Sequence, residues 1–295
     1  MGNAKEAGHI LDGAEDASAP PPAYSEAVPP SSSSHQDQEA PQEKASSDLK
    51  SIRPTAHIPQ QFPPTFNAYY QWKFTKTFHL GEHKDRPLYA VRTHTGWSSA
   101  PGVVLHNGPS DKDPVLAAAG NESTWSKHTV VVLPPLPGSG AESSTEFMRT
   151  NLGWKTQTYP FTIEVGDTSG GAGRGAWRRE NFEWRQSHGG EVRQLGKCFR
   201  GWKLVRLGAD ADGPGGQRDE RAAGASSDGK EIVAVWAFYS GWSMTKSFKF
   251  QFLSSGLTGE LGERWSVMAV TTALRMWYLH FQGVNASTAA TAGAC

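Results

Sequence analysis

The segment from Leu261 to Phe281 limits the possible folds more than any other part of the chain. Its apolar residues point in every direction around a helical wheel, so the helix has no clear polar face. A helix that is apolar all round is either buried on every side or lies in a membrane. Arg264 and Arg275 interrupt the segment, and a charge near the centre of a bilayer is costly. We therefore expect a helix that is threaded through the rest of the protein.

The chain before this helix alternates apolar and polar residues with a period of two, which is typical of β-strands. The first run extends from Tyr70 to Phe78, and glycines or the Asn107-Gly108 pair separate the runs. Asn-Gly is typical of a hairpin turn. Eleven or twelve strands at this spacing predict a sandwich or a barrel. The later runs are Pro87–Arg92, Gly102–His106, Pro114–Ala119, Lys127–Leu133, Thr145–Arg149, Tyr159–Val165, Asn181–Arg185, Gly201–Leu207, Glu231–Tyr239 and Ser247–Leu253.

The first 65 residues differ in composition from the rest of the 295-residue chain. They carry a net charge of −5 against +5 for the remainder, and they hold 10 of the 19 prolines and none of the 11 tryptophans. Such a segment buries too little apolar surface to offset the entropy of ordering. We predict a disordered acidic tail over residues 1–65, a folded domain over residues 66–283 and a second disordered tail over residues 284–295.

With these strand runs and the helix sequence WSVMAVTTALRMWYLHF, residues 66–283 resemble the tubby C-terminal-like superfamily. This superfamily includes tubby domains, phospholipid scramblases and plant LURP-one-related proteins. The resemblance implies a mainly β fold, a closed barrel of about 12 strands around a buried C-terminal hydrophobic helix. For some branches it also implies binding of membrane lipid or phosphoinositide. The helix residues that we expect in the core are Trp265, Met268, Leu274, Trp277, Tyr278 and Phe281.

The tail contains a PPxY motif formed by Pro21, Pro22 and Tyr24. A polyproline-II segment of this kind docks into the aromatic groove of a WW domain, and the tyrosine fills a second pocket. An exposed tail leaves the motif within reach of a partner. A WW-domain protein such as a ubiquitin ligase is therefore the expected partner, and a chance match in a proline-rich tail is the alternative.

Basic residues alternate with aromatic ones in the second half of the barrel region. Cations contribute roughly 1 kcal/mol each near an anionic membrane surface, so these residues are candidates for binding a phosphoinositide headgroup. Neighbouring positions on a strand project to opposite faces, so not all of them belong to one patch. An ordinary solvated strand face is the alternative. The candidates are Arg178, Arg179, Lys197, Arg200, Lys203, Arg206, Lys246 and Lys249.

Several functional classes lack support in the sequence. The net charge of zero gives no argument for nucleic-acid binding. The ten histidines show no metal-ligand spacing, and no nucleophile–base pair is evident, so we expect no metal, no cofactor and no enzymatic activity. Two cysteines cannot form a disulfide-dense scaffold. We expect a cytoplasmic protein that associates peripherally with a membrane.

Two hypotheses for the function come from different classes. In the first, the chain is a non-enzymatic lipid- or protein-binding module that acts as a membrane-associated adaptor and recruits a WW-domain partner through its tail. In the second, it is a scramblase-like protein that moves phospholipid across a bilayer. Insertion of the segment Trp265–Phe281 into a membrane would distinguish the second from the first. Arg275 and the short apolar length favour the first hypothesis.

Overall fold

The computed structural model describes most of the chain after residue 48. The backbone alone is described at residues 246–247 and 284–292. The described residues are 49, 51–55, 61–70, 76–94, 100–123, 126, 128–137, 139–153, 156–166, 177–195, 201–208, 225–238 and 246–292.

Thirteen strands form where apolar and polar residues alternate, because this period puts one set of side chains on each face of a sheet. In β9, for example, the residues at every second position are buried and those between them are partly exposed. The strands are β1 (Thr65–Tyr70), β2 (Thr77–Gly81), β3 (Tyr89–Thr93), β4 (Val103–His106), β5 (Val115–Asn121), β6 (Thr129–Leu133), β7 (Ser144–Met148), β8 (Asn151–Leu152), β9 (Gln157–Val165), β10 (Arg178–Ser187), β11 (Gly201–Gly208), β12 (Ile232–Phe238) and β13 (Lys246–Phe252).

Twelve of these strands close into an antiparallel barrel, which confirms the predicted architecture. The pairing runs from β10 through β11, β12, β13 and β1 to β7, and β9 then pairs with both β7 and β10. The short strand β8 adds to β9 outside this ring. A closed barrel leaves no open sheet edge, so every strand of the ring has two partners.

The N-terminal part of the barrel differs from the prediction. The run from Tyr70 to Phe78 was expected to be one strand, but β1 ends at Tyr70 and β2 begins at Thr77. Residues 71–75 lie outside the described part of the chain. The prediction was wrong because the alternation continues through this segment and no glycine, proline or asparagine marks a turn.

The C-terminal helix α3 (Glu263–Ala292) passes through the barrel. Every residue from Val267 to Tyr278 is buried, and the helix packs against β4, β5, β6, β9 and β12. This explains why the helix has no polar face, since strands surround it on all sides. Its backbone continues past the expected domain boundary at residue 283. Within the described part of the chain, no helix combines the length and apolar character needed to cross a bilayer.

The predicted core positions of α3 are buried with one exception. Trp265, Met268, Leu274, Trp277 and Tyr278 are at most 5% exposed. Phe281 is 42% exposed, so its assignment to the core was wrong. It lies one turn beyond Trp277, where the helix leaves the barrel, and its ring faces those of Trp277 and Tyr70.

The helix gives the barrel two distinct ends. We call the end where α3 begins the entry end; there β13 ends at Phe252, whose ring lies 5.9 Å from that of Trp265. We call the opposite end, where α3 leaves the barrel, the exit end. There β1 ends at Tyr70, and the Tyr278 hydroxyl donates a hydrogen bond of 2.6 Å to the carbonyl oxygen of His94.

Two short helices lie outside the strands. Helix α1 (Gly190–Arg193) covers the outer face of β12, and Val192 and Leu195 form a second apolar cluster there with Val235. Helix α2 (Ser254–Thr258) joins β13 to α3. Gly256 of α2 makes room for α3, because a Cβ at this position would lie 2.7 Å from the Trp265 ring.

Part of the predicted tail packs on the barrel. Leu49 is 4% exposed and lies against Val104, Ala118 and Val132 on the outer face. The amide of Thr55 donates a hydrogen bond of 2.8 Å to the carbonyl oxygen of Val115. The chain is therefore attached to the barrel before β1, at residues that were predicted to belong to the disordered tail.

Candidate functional site

Five of the predicted functional residues lie outside the described part of the chain. These are the motif residues Pro21, Pro22 and Tyr24, and the headgroup candidates Lys197 and Arg200. Lys246 is described by its backbone alone. Their roles stay predictions. The five remaining basic candidates have described side chains, and the structure separates them into three places.

Arg178 and Arg206 meet at the carboxylate of Glu180, close to the entry end. Glu180 is 3% exposed. Arg206 donates to both of its oxygens, with Nε–Oε2 and Nη2–Oε1 distances of 2.7 and 3.0 Å. Arg178 donates to the same carboxylate from its own strand. The remaining nitrogen of Arg206 reaches Glu231 and Glu260, each at 3.2 Å.

Burial and the two arginines act on the pKa of Glu180 in opposite directions. Burial on its own would raise the pKa, because it removes water from the charged form. The hydrogen bonds and charges of Arg206 and Arg178 outweigh burial and lower the pKa below its ordinary value. The same contacts raise the pKa of Arg206. Both arginines are thus engaged by the protein's own carboxylates.

The barrel wall is incomplete between β7 and β9. These two strands pair only at Met148 and Phe161, and β8 pairs with the start of β9 instead. Towards the entry end, Glu146 of β7 and Glu164 of β9 therefore have no ladder between them. Charged side chains occupy this gap.

Arg264 of α3 reaches this gap from inside the barrel. Its Nη1 lies 2.6 Å from Glu164, and its Nη2 lies 3.1 Å from Glu146 and 2.6 Å from the Ser144 hydroxyl. Arg179 binds the same two glutamates from outside the barrel. Its Nη2 lies 2.6 Å from Glu146, and its Nη1 contacts Glu164. Two arginines and two glutamates thus form a neutral network that ties the start of the helix to the wall.

Lys203 and Lys249 hold the segment around α1 on the outer face. The Lys203 ammonium lies 3.7 Å from Glu191, the first acidic residue of α1. The Lys249 ammonium donates a hydrogen bond of 2.6 Å to the carbonyl oxygen of Leu195. Neither lysine adjoins the two arginine clusters. The five described candidates therefore do not form one basic surface, and each contacts an acceptor of the protein itself.

The sequence did not indicate the environment of Arg275. It is 3% exposed, and its Nη2 donates a hydrogen bond of 2.6 Å to the side-chain oxygen of Asn121. Its guanidinium also lies 5.9 Å from the centre of the Tyr278 ring. Among the described residues it has no carboxylate partner, and its Nε has no hydrogen-bond acceptor.

Burial lowers the pKa of Arg275 to about 10, so the group still carries its charge at neutral pH. The close packing depends on Gly102, because a Cβ at that position would lie 2.2 Å from Arg275 Nη1. The positive charge of Arg275 therefore lies inside the barrel near the exit end, and no carboxylate of the described residues pairs with it. The sequence pattern identified Arg275 only as an interruption of the apolar helix.

A cavity with a volume of about 500 Å³ lies at the entry end. Phe62, Phe252 and Trp265 line it, and Glu260 and Glu263 contribute carboxylates. Within the described ranges, no three His, Cys, Asp or Glu side chains are placed to hold a metal ion. The arrangement is therefore a set of internal ion pairs around a filled barrel.

Comparison with known proteins gives no match, since no protein-family model, no curated protein and no solved structure is significantly similar to this chain.

Proposed function

We propose that this protein is a non-enzymatic, tubby-like binding module that acts as a membrane-associated adaptor in the cytoplasm. Its barrel would recognise an anionic membrane lipid, such as a phosphoinositide, or a protein at the membrane. Its tail would recruit a WW-domain protein, for example a ubiquitin ligase, through Pro21, Pro22 and Tyr24.

The observation that carries this proposal is the filled interior of the barrel. Small-molecule sites in barrels are formed by a lumen or an open mouth. Here α3 occupies the lumen, and every side chain from Val267 to Tyr278 is buried. A ligand would therefore bind on the outer surface, at an end of the barrel or along the tail, as expected of an interaction module.

The attachment of the tail supports the role of an adaptor. Leu49 packs in the apolar cluster on β4, β5 and β6, and Thr55 bonds to Val115. The WW-binding motif therefore joins the barrel through a docked segment whose first described residue, Leu49, comes 25 positions after Tyr24. A partner captured at the motif would be held within reach of whatever the barrel binds, which raises its effective concentration there.

The test is binding of the full-length protein to an isolated WW domain of a ubiquitin ligase, measured by calorimetry. Tyr24→Ala should lower the affinity at least about tenfold, because the tyrosine fills one of the two pockets. Pro29→Ala is the matched control, since Pro29-Pro30 lies in the same tail without a following PPxY tyrosine. Equal binding by wild type and Tyr24→Ala would contradict the proposal.

The lipid half needs its own variants, because Arg178, Arg179 and Arg206 contribute to internal ion pairs. Replacing them would disturb the fold as well as any lipid contact. Lys197→Glu and Arg200→Glu avoid these pairs. Sedimentation of the full chain with phosphoinositide vesicles and with neutral vesicles, at two salt concentrations, should show binding that needs the phosphoinositide and weakens in salt.

A further inference from the structure

The cavity at the entry end has an aromatic wall. Phe62, Phe252 and Trp265 line it, and their rings follow one another with centres 6.4 and 5.9 Å apart. The Phe62 ring also lies 4.6 Å from that of Tyr89, which is 2% exposed. Three neighbouring rings thus form one continuous surface. The volume of about 500 Å³ is within the range of small-molecule sites.

The fold holds this wall in place. Phe252 and Trp265 are at most 4% exposed, because they belong to the core at the start of α3. The amide of Phe252 donates a hydrogen bond of 2.9 Å to the carbonyl oxygen of Pro64, two residues after Phe62. The segment that carries Phe62 is therefore fixed to the last strand before the helix. A cavity formed in this way needs little rearrangement to accept a ligand.

A carboxylate faces the same wall. Glu263, the first residue of α3, lines the cavity and is partly buried. Burial raises the pKa of Tyr89, and the negative charge of Glu263 raises it further. Glu263 therefore lies near the Phe62–Tyr89 ring pair. No cation among the described residues forms an ion pair with it.

The neighbouring ion pairs leave no cation to spare for Glu263. Glu260 also lines the cavity, and it shares Arg206 and Arg178 with two further glutamates, Glu180 and Glu231. Two arginines thus serve three carboxylates in this group. Glu263 is a fourth, so these six described residues carry a net charge of −2.

The lining chemistry selects one class of ligand. Aromatic rings attract organic ammonium ions through cation–π contacts, and a nearby carboxylate balances their charge. An anion would be repelled by Glu260 and Glu263. A calcium ion needs six or more oxygen ligands, and within the described ranges no three His, Cys, Asp or Glu side chains are placed to hold a metal. Glu263 also suits the positive end of the helix dipole, but that role needs neither a cavity nor an aromatic wall.

We propose that the entry-end cavity binds a small organic ammonium ion. Its cationic group lies against the rings of Phe62, Phe252 and Trp265, and Glu263 supplies the counter-charge. This inference goes beyond the proposed function and does not depend on it, because it uses neither the proline-rich motif nor an anionic lipid.

The experiment compares choline with 3,3-dimethylbutan-1-ol, which has the same shape without the charge. Binding of each to the full-length protein is titrated by ligand-observed NMR. Choline should bind at least about fivefold more tightly than the alcohol, because only the charged ligand gains from the rings and from Glu263. Phosphatidylcholine vesicles should not displace choline; displacement would assign the site to a lipid headgroup with the same ammonium group.

Three variants test the lining. Glu263→Gln should weaken choline binding at least about fivefold and leave the alcohol unaffected. Phe62→Leu keeps an apolar wall but removes one ring, so it should weaken choline more than the alcohol. Asp85→Asn is the matched control, because it removes one exposed carboxylate at the same end that does not line the cavity.

The outcomes are read once equal melting temperatures show that the variants fold. Loss of choline binding in Glu263→Gln and Phe62→Leu, with Asp85→Asn unaffected, supports the proposal. If Glu263→Gln does not fold, Phe62→Leu and the comparison of the two ligands still decide. Equal binding of choline and the alcohol would reduce the site to an apolar cavity and overturn the proposal. An equal loss in Asp85→Asn, or no binding of choline by the wild type, would also overturn it.

Discussion

Arg275→Met should stabilise the protein, although it removes a hydrogen-bonded side chain from the core. Burial lowers the pKa of Arg275 to about 10. A change of one in a pKa corresponds to about 1.4 kcal/mol, so the charge costs on the order of 3 kcal/mol in the folded state. Losing the hydrogen bond to Asn121 costs only about 1 kcal/mol of stability, because the exposed Asn121 amide then bonds to water instead. The net gain is about 2 kcal/mol.

Arg264→Met is the matched comparison, because both arginines belong to α3 and both are at most 5% exposed. Arg264 is paired with Glu146 and Glu164, so its removal leaves two carboxylates that share the single cation of Arg179. Breaking a buried pair in this way costs about 3–5 kcal/mol. The two substitutions thus have the same chemistry and opposite expected signs.

Thermal and urea unfolding measure both effects. Arg275→Met should raise the melting temperature by about 5 °C, and Arg264→Met should lower it by about 10 °C or more. The gain from Arg275→Met should not vary between pH 5 and 9. The folded pKa of Arg275 is lowered, so the cost of its charge is fully present below about pH 10 and is relieved only above it. If Arg275→Met destabilises the protein as much as Arg264→Met, the view that Arg275 has no counter-charge is refuted.

Three further predictions concern the fold. Trp277→Ala should cost about 3–5 kcal/mol, because the ring is 2% exposed and packs against Phe78 inside the barrel; a shift in melting temperature below about 3 °C would argue against a threaded helix. Glu180→Gln should reduce the loss of stability in acid, measured by urea unfolding from pH 7 to pH 3. The pKa of Glu180 is lowered in the folded state, so the carboxylate stabilises the protein above the ordinary glutamate pKa. This stabilisation is lost as the pH falls through the folded pKa. An unchanged acid slope would show that another carboxylate dominates. Leu49→Ala should cost about 2 kcal/mol and speed proteolysis before β1, because it opens the apolar cluster on the outer face; cleavage at the wild-type rate would place Leu49 in solvent.

The sequence predicted the barrel and the helix because both depend on regular patterns. Alternation along a strand such as Tyr159–Val165 specifies one buried face. The apolar segment from Trp265 onwards has no polar face, so only burial on all sides or a membrane can accommodate it. The predicted single strand Tyr70–Phe78 failed because the sequence between β1 and β2 contains none of the residues that mark turns.

Apart from pairs within one strand such as Arg178 with Glu180, the ion pairs could not be predicted, because they join residues that are distant in sequence. Arg264 and Glu146 are separated by 118 positions, and they meet only because β7 and β9 diverge where the helix begins. The pairing of Arg206 with Glu180 likewise depends on the neighbouring positions of β10 and β11 in the barrel. Sequence alone shows basic residues on strands and cannot show which carboxylates lie opposite them.

The packing of Leu49 gave no signal in the sequence either. One leucine and one isoleucine in a polar, proline-rich segment have no period from which burial can be inferred. The apolar outer face that receives them, formed by Val104, Ala118 and Val132, belongs to strands buried on both sides. A continuous apolar run in a strand indicates that its outer face is covered. It does not identify the segment that covers that face.

The central claim is that α3 is the fixed core of a barrel that binds at its surface, and hydrogen exchange tests it most directly. Backbone amide exchange of the full-length protein should be measured alone and with anionic vesicles. The account predicts that Val267–Tyr278 are among the slowest-exchanging amides in both conditions. Fast exchange of Val267–Tyr278 in the free protein would contradict the threaded helix. Faster exchange of Val267–Tyr278 when vesicles are added would show that the helix leaves the barrel, as lipid translocation would require.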